Sequence, residues 1–69
     1  MKIDYPKSLF NLRLKLNISQ EELAKKLGVS FSTINRWETG KFEPTKLSKA
    51  RLLNLLEKCN VVVEVKNDD

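Results

Sequence analysis

Residues 20–40 read Q-E-E-L-A-K-K-L-G-V-S-F-S-T-I-N-R-W-E-T-G and spell out two short helices joined by a tight turn. Ser19 with Glu22 three residues on is a capping box, in which side chain and backbone satisfy each other's donors. Leu23, Ala24 and Leu27 then recur at helical spacing and form one apolar stripe. Gly28 falls where a helix C-terminus needs a left-handed residue, which only glycine adopts without steric cost. Ser30 is the next N-cap, so the spacing predicts a second helix from Phe31 to Glu38, stopped by Thr39 and Gly40. On that helix Ile34 and Trp37 share one face, with Phe31, Ser32, Asn35 and Arg36 on the other or at its edges. One face packs and the other is free to touch a partner.

These residues resemble the helix-turn-helix of the Cro and phage-repressor (Xre-type) DNA-binding proteins. Counted from Gln20, the family's small fifth residue is Ala24 and its turn glycine, the ninth, is Gly28. Its apolar fourth, eighth, tenth, fifteenth and eighteenth positions are Leu23, Leu27, Val29, Ile34 and Trp37. The resemblance extends from about Leu9 to Leu56, and the W-E-x-G-K-x-x-P ending (Trp37, Glu38, Gly40, Lys41, Pro44) is also usual there. It implies an all-α fold, a four-helix, lambda-repressor-like domain, with double-stranded DNA as partner.

Outside the motif, Lys2-Ile3-Asp4-Tyr5 alternates polar and apolar and reads as a short extended strand ended by Pro6. Leu9, Leu12 and Leu16 place a first helix up to about Leu16, with Phe10 and Leu14 as a second apolar row that predicts contacts on more than one side. Ile18 is a candidate hydrophobic staple before the Ser19 cap. Phe42, in the loop after Gly40, is expected to fold back on the core. Thr45 or Ser48 caps a fourth helix running through Leu47, Ala50, Leu53 and Leu56 to about Lys58, with Leu52 and Leu55 widening the stripe. That width implies either a partner surface or a cover supplied by the C-terminal segment.

The fourth helix is followed by Val61-Val62-Val63-Glu64-Val65, β-branched and bounded by Asn60 and Asn67, which reads as a short C-terminal β-strand. Most members of the resembled family continue with a helix here, so this chain departs from the pattern. A lone strand is not stable; its partner is either Ile3-Asp4-Tyr5 or the same strand of a second chain. Val61, Val63 and Val65 should face one way, with Val62 and Glu64 the other. Residues 1–58 thus form the DNA-binding domain, residues 59–69 are a possible dimerisation element, and Lys66 to Asp69 should fray.

Composition narrows the function. A chain of 69 residues has room for one small core. Its net charge of +4 conceals an acidic tail (Glu64, Asp68, Asp69 against Lys66), so the part before Cys59 carries about +6 by difference. That balance favours a polyanionic partner. There is no histidine and one cysteine, Cys59, which removes imidazole catalysis, most zinc sites and an intramolecular disulfide. No Gly-rich phosphate loop is present, so neither an enzyme nor a cofactor is expected. The N-terminus lacks an apolar core of signal-peptide length and no run approaches membrane-spanning length, which points to the cytoplasm, at the nucleoid when bound to DNA.

By resemblance the base readers are Phe31, Ser32 and Arg36, flanked by Thr33 and Asn35. Arg36 matches the paired acceptors of guanine or reaches a phosphate; Asn35 suits adenine or a phosphate; Phe31 touches a thymine methyl or is core. Gln20, at a helix start, and Thr39, Lys41 and Lys46 match phosphate-contact positions, with Ser30 and Thr33 as secondary candidates that could simply cap. Arg13 and Glu38 correspond to a family ion pair linking helix one to the recognition helix. The implied function is a dimeric, sequence-specific transcriptional regulator, a repressor acting by operator occupancy, with dimerisation through helix four and the valine strand. The alternative is a protein-interaction module or antitoxin-like partner whose DNA binding is secondary.

Overall fold

The computed structural model describes residues 2–66. The elements are β1 (Lys2–Ile3), α1 (Tyr5–Leu16), α2 (Gln20–Leu27), α3 (Phe31–Glu38), α4 (Lys46–Lys58) and β2 (Val65–Lys66). Among the described residues this makes a four-helix domain with a two-stranded antiparallel sheet joining its ends, Lys2 opposite Lys66 and Ile3 opposite Val65.

All four helices start and stop by the same local chemistry. Asp4, Ser19, Ser30 and Thr45 are the N-caps, each in extended conformation and each accepting with its side chain from the backbone N–H three residues on: Lys7, Glu22, Thr33 and Ser48. At the C-termini the chain turns through Asn17, Gly28, Gly40 and Asn60, which are the positive-φ residues of the described chain. Each turn carries the paired Schellman bonds, as in Val29 N–H to Ala24 C=O at 3.0 Å with Gly28 N–H to Lys25 C=O at 3.3 Å. Gly28 (φ 71°) and Gly40 (φ 79°) bear the motif's two left-handed turns, where a Cβ would be strained.

With their ends defined, the helices bury one stripe each. Leu9 and Leu12 of α1, Leu23 of α2, Ile34 of α3 and Leu52 and Leu56 of α4 are fully buried, with Tyr5, Ala24, Leu27 and Trp37 nearly so. α3 packs on both α1 and α2, and α4 packs on α2. Ala24 lies in this core, a small side chain that permits close helix approach.

Several expectations are corrected outside the motif. Tyr5 belongs to α1 rather than to a strand, because Asp4 caps the helix ahead of Pro6. The inward face of α1 is Tyr5, Ser8, Leu9 and Leu12; Phe10 and Leu14, one step round the helix, are exposed and pack on no second side. On α4 the buried pair is Leu52 and Leu56, with Leu53 and Leu55 half-buried, whereas Leu47 and Ala50 face outward. Four leucines in five positions offer two overlapping stripes, and the core takes Leu56 from the expected one and Leu52 from beside it. Phe42 is 60% exposed; the loop is anchored instead by buried Pro44.

The C-terminal segment departs most. Of the expected strand Val61 to Val65 only Val65 is in a strand, with Lys66, and the pairing is to β1 of the same chain. Val61 and Val63 pack against the core and Val62 is exposed, as alternation requires, but Val65 is exposed too. The pattern breaks at Glu64, whose N–H donates to Ser8 Oγ (3.1 Å) and whose C=O accepts from Asp4 N–H (2.8 Å). β1 offers only two residues before the Asp4 cap starts α1, so a longer ladder has nothing to pair with. Of the tail expected to fray, Lys66 is paired with Lys2, and residues 67–69 lie outside the described residues.

Candidate nucleic-acid interface

The recognition helix follows from its two faces. Ile34 and Trp37 are buried against the core, so helical geometry turns Phe31, Ser32, Asn35 and Arg36 outward, at positions i, i+1, i+4 and i+5 of one surface. All four are exposed; Phe31 retains 49% of its surface and is not core. Thr33 is half-buried at the edge, its hydroxyl 2.9 Å from Ser30 Oγ. Ser30 Oγ also accepts from Thr33 N–H, so these two hydroxyls are occupied in capping α3.

Behind this face, Glu38 binds α3 to α1 and α2 together. Arg13 donates from Nε to Glu38 Oε2 at 2.7 Å and from Nη2 to Oε1 at 2.9 Å, a two-pronged pair of charged hydrogen bonds. The side chains are only 20% and 10% exposed, so solvent screens the pair weakly. The hydrogen bonds that Arg13 donates to Glu38 raise its pKa above the ordinary value, against the opposing effect of burial and with a smaller contribution from the carboxylate's charge. Arg13 is therefore cationic at any physiological pH.

Gln20, half-buried at the start of α2, is joined to the same carboxylate. Its amide Nε2 donates to Glu38 Oε1 at 3.1 Å. The carboxylate has acceptor capacity left after Arg13 and lies 18 residues away, a relation no local pattern contains. What α2 offers an anion here is the backbone N–H groups of Gln20 and Glu21, since that of Glu22 is held by Ser19 Oγ, with the Glu21 and Glu22 carboxylates offsetting the positive helix end. Thr39 is exposed but its hydroxyl donates to Arg36 C=O at 3.1 Å. Lys41 and Lys46 are exposed and, among the described residues, are in no ion pair.

One neighbour of the readers was not legible as such. The Arg36 guanidinium carbon stands 5.6 Å from the centroid of the Phe42 ring, a cation–π distance. The only signal in the sequence is an aromatic six residues on, across a glycine turn. Elsewhere, positive charge collects in a cleft between α2 and α4 lined by Lys25, Lys26, Arg51 and Lys58, with no carboxylate in its wall. Lys25, Lys26 and Lys58 sit in last helical turns, where cations offset the negative helix ends, and Arg51 Nη1 is 3.5 Å from Leu27 C=O at the end of α2.

Two capped helices at a glycine turn, the second with a buried rear and a polar, basic front, define a helix-turn-helix DNA-binding domain. The family profile described as helix-turn-helix matches residues 9–61, most of the chain. The chain belongs to that family, the Cro and phage-repressor (Xre-type) helix-turn-helix proteins, whose domains bind DNA and are not catalytic. No significant match was found among curated proteins or among solved structures. Among the described residues, no helix is long and apolar enough to cross a membrane.

Proposed function

We propose that this protein is a sequence-specific transcriptional regulator that represses by occupying operator DNA as a two-fold dimer in the cytoplasm. The observation that carries the reading is the open face of α3, Phe31, Ser32, Asn35 and Arg36, on a helix whose rear is held by Ile34, Trp37 and the Arg13–Glu38 pair. A helix of this kind fits the major groove, its exposed side chains meeting base edges. Arg36 reads a guanine with its paired donors, Asn35 and Ser32 hydrogen-bond neighbouring bases or phosphates, and Phe31 lies against a thymine methyl.

Lys41 and Lys46, in and after the loop that follows α3, contact phosphates, as do the Gln20 and Glu21 N–H groups that open α2, while Ser30, Thr33 and Thr39 support the backbone that carries the readers. One such helix covers a few base pairs, so a second copy is needed to specify a site. Exposed Leu47 on α4 and exposed Val62 and Val65 in the C-terminal segment supply apolar surface for it.

Selection of bound duplexes from a random pool tests the reading. The account expects an inverted repeat, binding that weakens steeply with salt, and for Arg36→Ala a relaxed preference at one guanine per half-site, by roughly 1–3 kcal/mol of discrimination. Enrichment of no sequence by the unaltered chain would overturn it.

A further inference from the structure

The turn that ends α3 does more than stop the helix. Lys41 N–H donates to Arg36 C=O at 3.1 Å and Gly40 N–H to Trp37 C=O at 3.2 Å, with Gly40 left-handed at φ 79°. Thr39 Oγ1 adds a third bond, also to Arg36 C=O. The backbone thereby doubles back on the residue that carries Arg36, and buried Pro44 holds the far end of the loop. Phe42, between these two anchors, has its ring 5.6 Å from the Arg36 guanidinium carbon while staying 60% exposed. An aromatic ring exposed to that degree contributes little to the core, so its placement calls for another explanation.

We infer that Phe42 is a specificity-determining positioning residue, whose ring restrains the Arg36 side chain so that its guanidinium is presented to a base edge in a limited set of orientations. The inference rests on the proposed role of Arg36 as a base reader. A free arginine side chain samples many rotamers and loses that freedom on binding. A guanidinium attracted to a ring face keeps its N–H donors at its edges, in the plane where a guanine's two acceptors are met. Phe42 therefore acts on which base is preferred and touches none itself. An exposed cation–π contact sets the scale, about two- to fivefold in preference.

The test is the duplex selection repeated at one salt concentration with Phe42→Leu, Phe42→Trp and Arg36→Ala, each first checked for an unaltered thermal transition. The expected result is that F42L lowers the guanine preference about two- to fivefold at the position R36A relaxes, F42W restores it, and affinity for random-sequence duplex is unchanged in both. The Arg36 Nε–H resonance in free F42L should also lose the ring-current shift that the neighbouring aromatic imposes, a readout that survives even if the variant binds poorly. Selection that R36A relaxes but F42L leaves unaltered overturns the pairing alone. Uniform weakening on all sequences by F42L, at unchanged preference, also overturns it and makes Phe42 a non-specific contact. If the unaltered chain selects no sequence, the reading of Arg36 fails first and the pairing with it.

Discussion

The α2–turn–α3 unit and the C-terminal segment are held by different kinds of interaction. In the first, every boundary is made within five residues: Ser19 with Glu22, Gly28 with Ala24 and Lys25, Ser30 with Thr33. In the second, Glu64 reaches Ser8 across 56 positions and Val65 meets Ile3 at the other end of the chain. The first can form its turns before the rest of the domain exists; the second has no partner until α1 is in place. The helix-turn-helix is the locally determined unit, and the segment closing the domain is held by a few contacts from distant parts of the chain.

Between them stands Glu38, and removing it should have the largest effect. Glu38→Ala leaves Arg13 part-buried without its partner and strips an acceptor from Gln20, at a cost of about 3 kcal/mol, the low end for breaking a buried pair because Arg13 keeps some solvent access. In a domain of this size that approaches the whole margin of stability, so thermal unfolding should show a collapse of cooperativity or a large drop in Tm. Glu38→Gln, which retains neutral hydrogen bonds, should cost less. Equal loss from E38A and E38Q would mean that the charge carries the whole effect and the neutral hydrogen bonds none of it.

A smaller effect should appear at the other region. Ser8→Ala removes the acceptor of Glu64 N–H in a fully buried place, at a cost of about 1–2 kcal/mol. Native-state hydrogen exchange should then quicken at Glu64 and at Asp4, whose N–H is held by Glu64 C=O, while Ile34 and Trp37 amides are slowed or quickened only by the change in global stability. Faster exchange in α3 equal to that at Glu64 would show that the two regions open together, against the contrast drawn above. Smallest of all is Lys7→Ala: Lys7 Nζ is 3.9 Å from Glu64 Oε1 with 64% of its side chain exposed, and its loss should change stability by a few tenths of a kcal/mol.

The same contrast explains what could be read from the amino acids. The helices, their caps and the core residues of α2 and α3 are legible because the deciding partners lie within five positions. On α4 the cluster Leu52, Leu53, Leu55 and Leu56 permits two inward faces, and only the packed neighbours choose between them. Valine content overstates the strand because it reports β-propensity and not the length of the available partner, which is two residues. The hydrogen bond of Gln20 to Glu38 is not legible, because its acceptor lies on another helix. The apolarity of Phe42 suggests an inward side chain, whereas the Gly40 turn and Pro44 carry it to Arg36. The outward positions of α3 were legible as a face; whether they read bases is a matter of chemistry with DNA.

The most direct test of that chemistry is a backbone amide shift map of the protein titrated with a duplex it selects. The account predicts the largest changes over residues 31–36 and 39–46, smaller ones at the start of α2, and none at the α2–α4 cleft of Lys25, Lys26, Arg51 and Lys58. Changes centred on that cleft or on Val62 to Lys66, with α3 unmoved, would contradict it.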